Sequence, residues 1–268
     1  MTDLQERPAA EGTSYEHILV ERDGDVVTIT MARPERRNAL SEAHLRELLR
    51  AVTETAGGDA LAIVLAARGP VFSAGHDFAD VVSRDVGGVR ELLRLCTSVM
   101  QALEAAPQVV VARVHALATA AGCQLVASCD LAVAAESAGF ALPGGKGGWF
   151  CHTPAVPVAR SIGRKRLMEM ALSGDVVSAT TAAQWGLVNE TVPDDELDAA
   201  VARLVARVTR GSASAKAFGK QTIYAQLDRP ERDAYAIAVE AMAGASQSAS
   251  AREGMAAFLE KRPAVWPH

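Results

Sequence analysis

The stretch "HALATAAGCQLVASCD", His115 to Asp130, is built largely of Ala and Gly and carries one side chain with a long polar head, Gln124. An amide cannot titrate, but it can hold a water or a carbonyl group by hydrogen bonds. Two further stretches set reactive residue types in short motifs: "FSAGHD", with His76 and Asp77, and "WFCHTP", with Cys151 and His152. The imidazole of His152 has the intrinsic pKa for moving protons near neutral pH. Cys151 would need a basic partner to act as a nucleophile; none is evident, and it reads as a packed thiol. Asp77 reads as the acceptor of N–H groups in its own loop.

"FSAGHD" and "ATAAGC" share a second property. In each, a strand-like run passes through small residues into a helix or loop. Small residues let a ligand approach the backbone closely, and N–H groups at the start of a helix are free to donate to a negative oxygen. Two such turns side by side would aim two N–H groups at one oxygen, which is an oxyanion hole. The same residues would also serve close packing.

The elements that must position these turns follow from pattern. "HILVER" and "DVVTITMA" are rich in β-branched residues and joined by "DGD", a hairpin signal. Ser41 caps a helix whose apolar residues Leu45, Leu48, Leu49 and Val52 recur at the helical period, and "GGD" ends it. "ALAIVLAA", Ala60 to Ala67, is the short apolar run of a buried strand. A helix is expected around Val89 to Ala105, then the strand "QVVVARV", the small-residue turn and the strand "LAVAAE". Strands alternating with helices mark an α/β layered core. After Asp194 every segment is helical in period. The chain therefore divides into a core at 15–195 and a helical region at 196–268.

Several classes are excluded. No G-x-G-x-x-G joins a strand to a helix, and "GGKGG" lacks the Ser or Thr and the earlier Gly of a phosphate loop. No G-x-S-x-G elbow is present. With 27 basic against 32 acidic residues, no nucleic-acid partner is expected. No apolar run is long enough to span a membrane, and the polar start "MTDLQERPAAEGTS" carries no signal or transit pattern, so a cytoplasmic protein is expected. Cys96, Cys123, Cys129 and Cys151 show no metal-ligand spacing; they read as buried free thiols, and no metal is expected.

"PVFSAGHDFADV" resembles the first oxyanion loop of the enoyl-CoA hydratase/isomerase (crotonase) superfamily, and "HALATAAGCQLVASCDLAVAAESAGFALP" resembles its second. "IGRKRLMEMALSGDVVSATTAAQWGLVNETVPDDEL" and "EGMAAFLEKRPAVW" resemble its later helical stretches. The resemblance runs from about Val26 to Trp266, and is strongest to the branch of enoyl-CoA hydratase domain-containing proteins. It implies an α/β fold with a spiral of ββα units and a C-terminal helical region that trimerises, often as a dimer of trimers. It implies an acyl-CoA partner, with CoA part of the substrate rather than a cofactor, and oxyanion donors at the N–H groups of His76 and Ala121. It also implies that Arg37 and Ala39 of the "RRNAL" loop, Asp77, and Phe258 with Lys261 from the C-terminal helix meet the CoA.

Two departures stand out. In the family's hydratases the positions of Gln124 and Gly144 hold glutamates, and the chain has neither carboxylate. In the dienoyl-CoA isomerase branch the position of His152 holds an aspartate, which makes His152 a candidate replacement. The reading is a thioester-binding, enolate-stabilising protein with weak or altered hydratase chemistry. The alternatives are a non-catalytic acyl-CoA carrier or sensor, and an oligomeric structural protein. Returning glutamate at both positions is expected to raise crotonyl-CoA hydration modestly.

Overall fold

The structure is a computed structural model and describes residues 14–267. The polar start "MTDLQERPAAEGTS", expected to carry no signal or transit pattern, lies almost wholly outside the described residues. The hairpin forms as β1 (Ile18–Asp23) and β2 (Val26–Met31), paired antiparallel. Next come α1 (Glu42–Ala56), β3 (Ala62–Ala67), α2 (Phe78–Val82), α3 (Val86–Ala105) and β4 (Val109–Val114). The second small-residue turn lies between β5 (Ala118–Thr119) and α4 (Ala121–Ala127), followed by β6 (Leu131–Ala135) and β7 (Gly139–Ala141). Beyond these lie α5 (Ala155–Ile162), α6 (Arg164–Ser173), β8 (Val177–Ser178), α7 (Ala179–Trp185) and β9 (Glu190–Val192). The chain closes with α8 (Leu197–Val208), α9 (Ala213–Gln226), α10 (Glu231–Ala245) and α11 (Ala249–Glu260).

The main sheet runs β1-β2-β3-β4-β6-β9, parallel after the first pair. A smaller sheet, β5-β7-β8, stands apart from it. β3 is buried at every residue, as a strand covered on both faces must be. Its alternating side chains serve two cores: Ile63 and Leu65 join the one packed by α1 and α3, while Ala62 and Val64 join the one packed by α8. So α8, the first helix of the helical region, covers a face of the sheet through Leu197, Val201 and Leu204.

Local chemistry fixes the helix starts. The Ser41 hydroxyl accepts from His44 N, as expected for a cap. α3 begins three residues earlier than its apolar period suggests, because the Asp85 carboxylate accepts from Gly88 N at 2.8 Å and draws two glycines into the first turn. A polar cluster ties the helical region to the core. Lys220 of α9 donates to Leu103 O and Gln108 O, both at 3.0 Å, and pairs with Asp130 at 2.7 Å. Asp130 also accepts from Val110 N and Tyr224 Oη. Among the described residues no helix is long and apolar enough to cross a membrane, and all four cysteines are free and buried.

Candidate functional site

The two small-residue turns meet. Phe72 N donates to Leu117 O and Thr119 N to Ser73 O, so the first turn pairs with the approach to the second. Glycine is required at two points of this contact. A Cβ on Gly122 would lie 2.5 Å from Ser73 O, and one on Gly75 would lie 2.9 Å from Ala120 Cβ and 3.2 Å from Ala121 N. Gly75 also has φ +86°, where an L side chain is strained. Ala120, at φ 51° and ψ −119°, turns the chain from β5 into α4 in a conformation that normally belongs to glycine.

The "RRNAL" loop braces the first turn from the other side. Leu40 N donates to Gly75 O, Asp77 N to Leu40 O, and Ala74 N to Arg37 O. Asn38, with positive φ, is buried and satisfies three backbone groups: it accepts from Arg33 N and donates to Arg68 O and Val71 O. Asp77 caps α2 by accepting from Ala79 N, with Arg36 at 3.4 Å. It fixes its own loop, as its sequence position suggested. His44 is buried in α1, and its Nδ1 lies 3.1 Å from Ala39 O. Burial pushes its pKa down to about 4, so at neutral pH the uncharged ring donates to that carbonyl.

Between the turns opens a first cavity of about 420 Å³. His76 and Ala121 both line it, and among the described residues neither of their N–H groups donates to a protein acceptor. Its walls are aromatic. The Trp149 ring lies 5.9 Å from the His76 ring and 6.2 Å from that of Phe78. Neither ring nitrogen of His76 makes a well-aligned hydrogen bond among the described residues, and burial lowers its pKa against the smaller opposing influence of the Leu40 backbone. The ring is therefore a neutral wall.

The side-chain chemistry is less complete than the backbone chemistry. Gly144 lines this cavity, but its loop has closed over it. A Cβ there would lie 2.2 Å from Trp149 O and 2.8 Å from Cys151 N, and Trp149 N donates to Gly144 O. More than a carboxylate is missing: this loop path has no room for a side chain. His152 sits exposed on the rim, its ring 5.1 Å from that of Phe150. Cys151 is buried, and burial pushes its thiol up, away from a reactive thiolate.

Gln124 corrects an expectation. Three residues along a helix leave it about 60° round from Ala121, and it lines a second cavity of about 470 Å³, separate from the one that holds the two donors. Thr153 lines both cavities. Arg37, Ala39, Phe258 and Lys261 line neither. Arg37 meets the first turn through its carbonyl oxygen, which accepts from Ala74 N, Ala39 O meets His44, and Phe258 and Lys261 lie exposed at the end of α11. Sequence reasoning missed Asn38, His44 and Trp149. The signal for Trp149 was available: in a chain with 4% aromatics, "GGWFCH" places two side by side.

The fold and the paired turns define a class. Residues 21–268 match the enoyl-CoA hydratase/isomerase family, and the chain belongs to it. It is similar to mouse (Mus musculus) "Enoyl-CoA hydratase domain-containing protein 3, mitochondrial", with 40% identity over 92% of this chain and 83% of the relative. The crystal structure of the human enoyl-CoA hydratase domain-containing protein 3 superposes with a TM-score of 0.90 at 37% identity, covering 94% of this chain and all (100%) of that one. A Mycobacterium smegmatis enoyl-CoA hydratase structure superposes with a TM-score of 0.91 at 43% identity, covering 94% and 99%. These relationships bear out the resemblance read from the motifs and the crotonase-like α/β fold.

Proposed function

We propose that the protein binds an acyl-CoA thioester in the first cavity and stabilises its enolate with the backbone N–H groups of His76 and Ala121. The observation that carries this reading is the docking of the two turns through Gly75 and Gly122, with two N–H groups left without acceptors on one cavity. Such a donor is worth about 2.7–4 kcal/mol at a developing oxyanion. Efficient hydration is not part of the proposal. It needs one group to take a proton from water and another to give one to the α-carbon. Gln124 cannot titrate and lies off this cavity, and Gly144 has no side chain. His152 on the rim is the remaining proton carrier.

A non-catalytic carrier or sensor is the second reading. The closed loop over Gly144 favours it, because that loop removes an acid position without opening the pocket to another. Calorimetric titration with butyryl-CoA, beside a turnover screen on acyl-CoA esters, separates the two readings. In a folded Ala121→Pro variant, which lacks one donor, affinity or turnover falls. Undiminished binding and turnover there would place the hole elsewhere.

The same reading assigns the exposed apolar residues of α10 and α11, among them Met242, Phe258 and Leu259, to contacts between copies in a trimer or dimer of trimers. In such an assembly Phe258 and Lys261 meet the CoA of a neighbouring subunit. A monomer mass by light scattering at micromolar protein would exclude this arrangement.

A further inference from the structure

The second cavity lies between α3, α4, α5 and α9 and has no part in the chemistry proposed above. Its wall at α4 carries Gln124 and, at the C-terminal cap of that helix, Ser128, four residues apart and so on one face. They are 4% and 1% exposed. Gln124 Oε1 and Ser128 Oγ have no hydrogen-bond partner among the described residues. Facing them from α3 is the half-buried Glu104. Buried oxygens without partners are costly, and native proteins keep few of them. Two on one helix face, lining one cavity, call for a ligand group that supplies what they lack.

We infer that this cavity receives the far part of the acyl group and selects chains that carry a hydroxyl group there, read by Gln124 and Ser128 on α4 opposite Glu104 on α3. The inference rests on the acyl-CoA reading of the first cavity. Thr153 lines both cavities and marks where they adjoin. Ser128 lies seven residues beyond Ala121, about 10 Å along α4. The group that is read is therefore remote from the thioester and not at the carbons next to it.

The chemistry of the three side chains selects the class. The Gln124 amide accepts through its oxygen and donates through its NH2, the Ser128 hydroxyl both donates and accepts, and an ionised carboxylate only accepts. A hydroxyl group matches this set because it does both. A plain alkyl chain would displace water and leave both oxygens bare. An anionic end would face three carboxyl groups, Glu104, Asp130 and Asp228, while the cavity's Arg160 is already paired with Asp228. A cationic end would meet acceptors, but Arg160 already pairs with Asp228 and Lys220 with Asp130, both at 2.7 Å, so Glu104 is the one carboxyl of this wall without an ion pair among the described residues. Burial is the largest influence on that carboxyl and raises its pKa, which further favours a neutral guest.

The test is calorimetric titration of the full-length protein with butyryl-, octanoyl-, 8-hydroxyoctanoyl- and 8-aminooctanoyl-CoA. The hydroxylated ester is expected to bind about tenfold tighter than octanoyl-CoA, the yield of one or two satisfied buried hydrogen bonds. In Ser128→Ala and Gln124→Met that ratio falls towards one. Equal or tighter binding of octanoyl-CoA overturns the inference. So does tightest binding of the amine, or an unchanged ratio in both folded variants. If a variant does not fold, the wild-type ranking still decides. Butyryl-CoA is too short to reach Ser128 and tests the first cavity alone. If it binds while the two long esters tie, only this inference falls; if no ester binds, the acyl-CoA reading fails and takes this inference with it.

Discussion

The two cavities flank one short helix and are built on opposite terms. The first is lined by backbone donors, held where they are by a glycine contact on each turn. The second holds two side-chain oxygens, of Gln124 and Ser128, that have no partner among the described residues. Backbone donors survive changes of residue type as long as the turns keep their path. Side-chain chemistry is lost with a single residue. This difference explains how a chain of the enoyl-CoA hydratase/isomerase family can keep the two paired small-residue turns while holding no carboxylate at Gln124 or Gly144.

The sharpest way to break the comparison is to push the turns apart. A methyl group on Gly122 would sit 2.5 Å from a backbone oxygen, with Ser73 Cβ at 2.7 Å. Neither neighbour is the loose end of a side chain. Gly122→Ala is expected to cost about 3 kcal/mol, the upper end for overpacking, and to weaken acyl-CoA binding together with stability. Chemical denaturation and titration of the same sample check both. A variant with wild-type stability would mean that the turns are not in contact there.

A comparable effect comes from acid. His44 is uncharged in the fold down to about pH 4, against an ordinary value of 6.5. Between these values the unfolded chain binds a proton that the folded chain refuses. Stability is therefore full above pH 6.5 and falls as pH drops through that window, by about 3 kcal/mol in all. The first turn should feel the loss, because His44 supports Ala39 O in the loop that braces Gly75. His44→Gln has no such titration, so its melting temperature should vary less between pH 7 and 4. Parallel curves for the two proteins would remove His44 from this role.

Next in size is the attempt to restore hydration. The sequence alone suggested that Gln124→Glu with Gly144→Glu would raise crotonyl-CoA turnover. The structure reverses that expectation. Gly144 has Trp149 O at 2.2 Å from its Cβ position, and Gln124 opens on the other cavity. The double variant is expected to lose about 1–3 kcal/mol of stability to the crowded loop and to gain no turnover. A clear rise in initial hydration rate would show that the loop over Gly144 opens in solution.

Much of this molecule was legible in its residues. The helix cap at Ser41, the buried strand of "ALAIVLAA", the two turns and the helical end after Asp194 all follow from local patterns, and the fold agrees with them. What could not be read is what depends on neighbours distant in sequence. Gly144 looks like a lost acid until Trp149 O is placed against it. Gln124 looks like a partner of Ala121 until Thr153 and the turn of the helix set it in a separate cavity. His44 sits at an ordinary position of an amphipathic helix, and only the His17 ring 5.9 Å away and the "RRNAL" loop at Ala39 O show that it is enclosed and neutral.

The smallest expected effect is also the most direct test of the second cavity. If Gln124 Oε1 is a buried acceptor kept for a ligand, it lowers the stability of the free protein. Met has similar length, packs in irregular space and has no strong acceptor to desolvate. Gln124→Met should therefore raise stability by up to about 1 kcal/mol, the lower end of the cost of an unsatisfied buried polar group. A gain of that size would shift the melting temperature by about 2–4 °C in a domain of this length. A stabilised protein that has lost its preference for a hydroxylated acyl chain would show function held at the expense of stability. A destabilised Gln124→Met would mean that the amide is already satisfied, and the contrast between the two cavities would then reduce to the backbone donors alone.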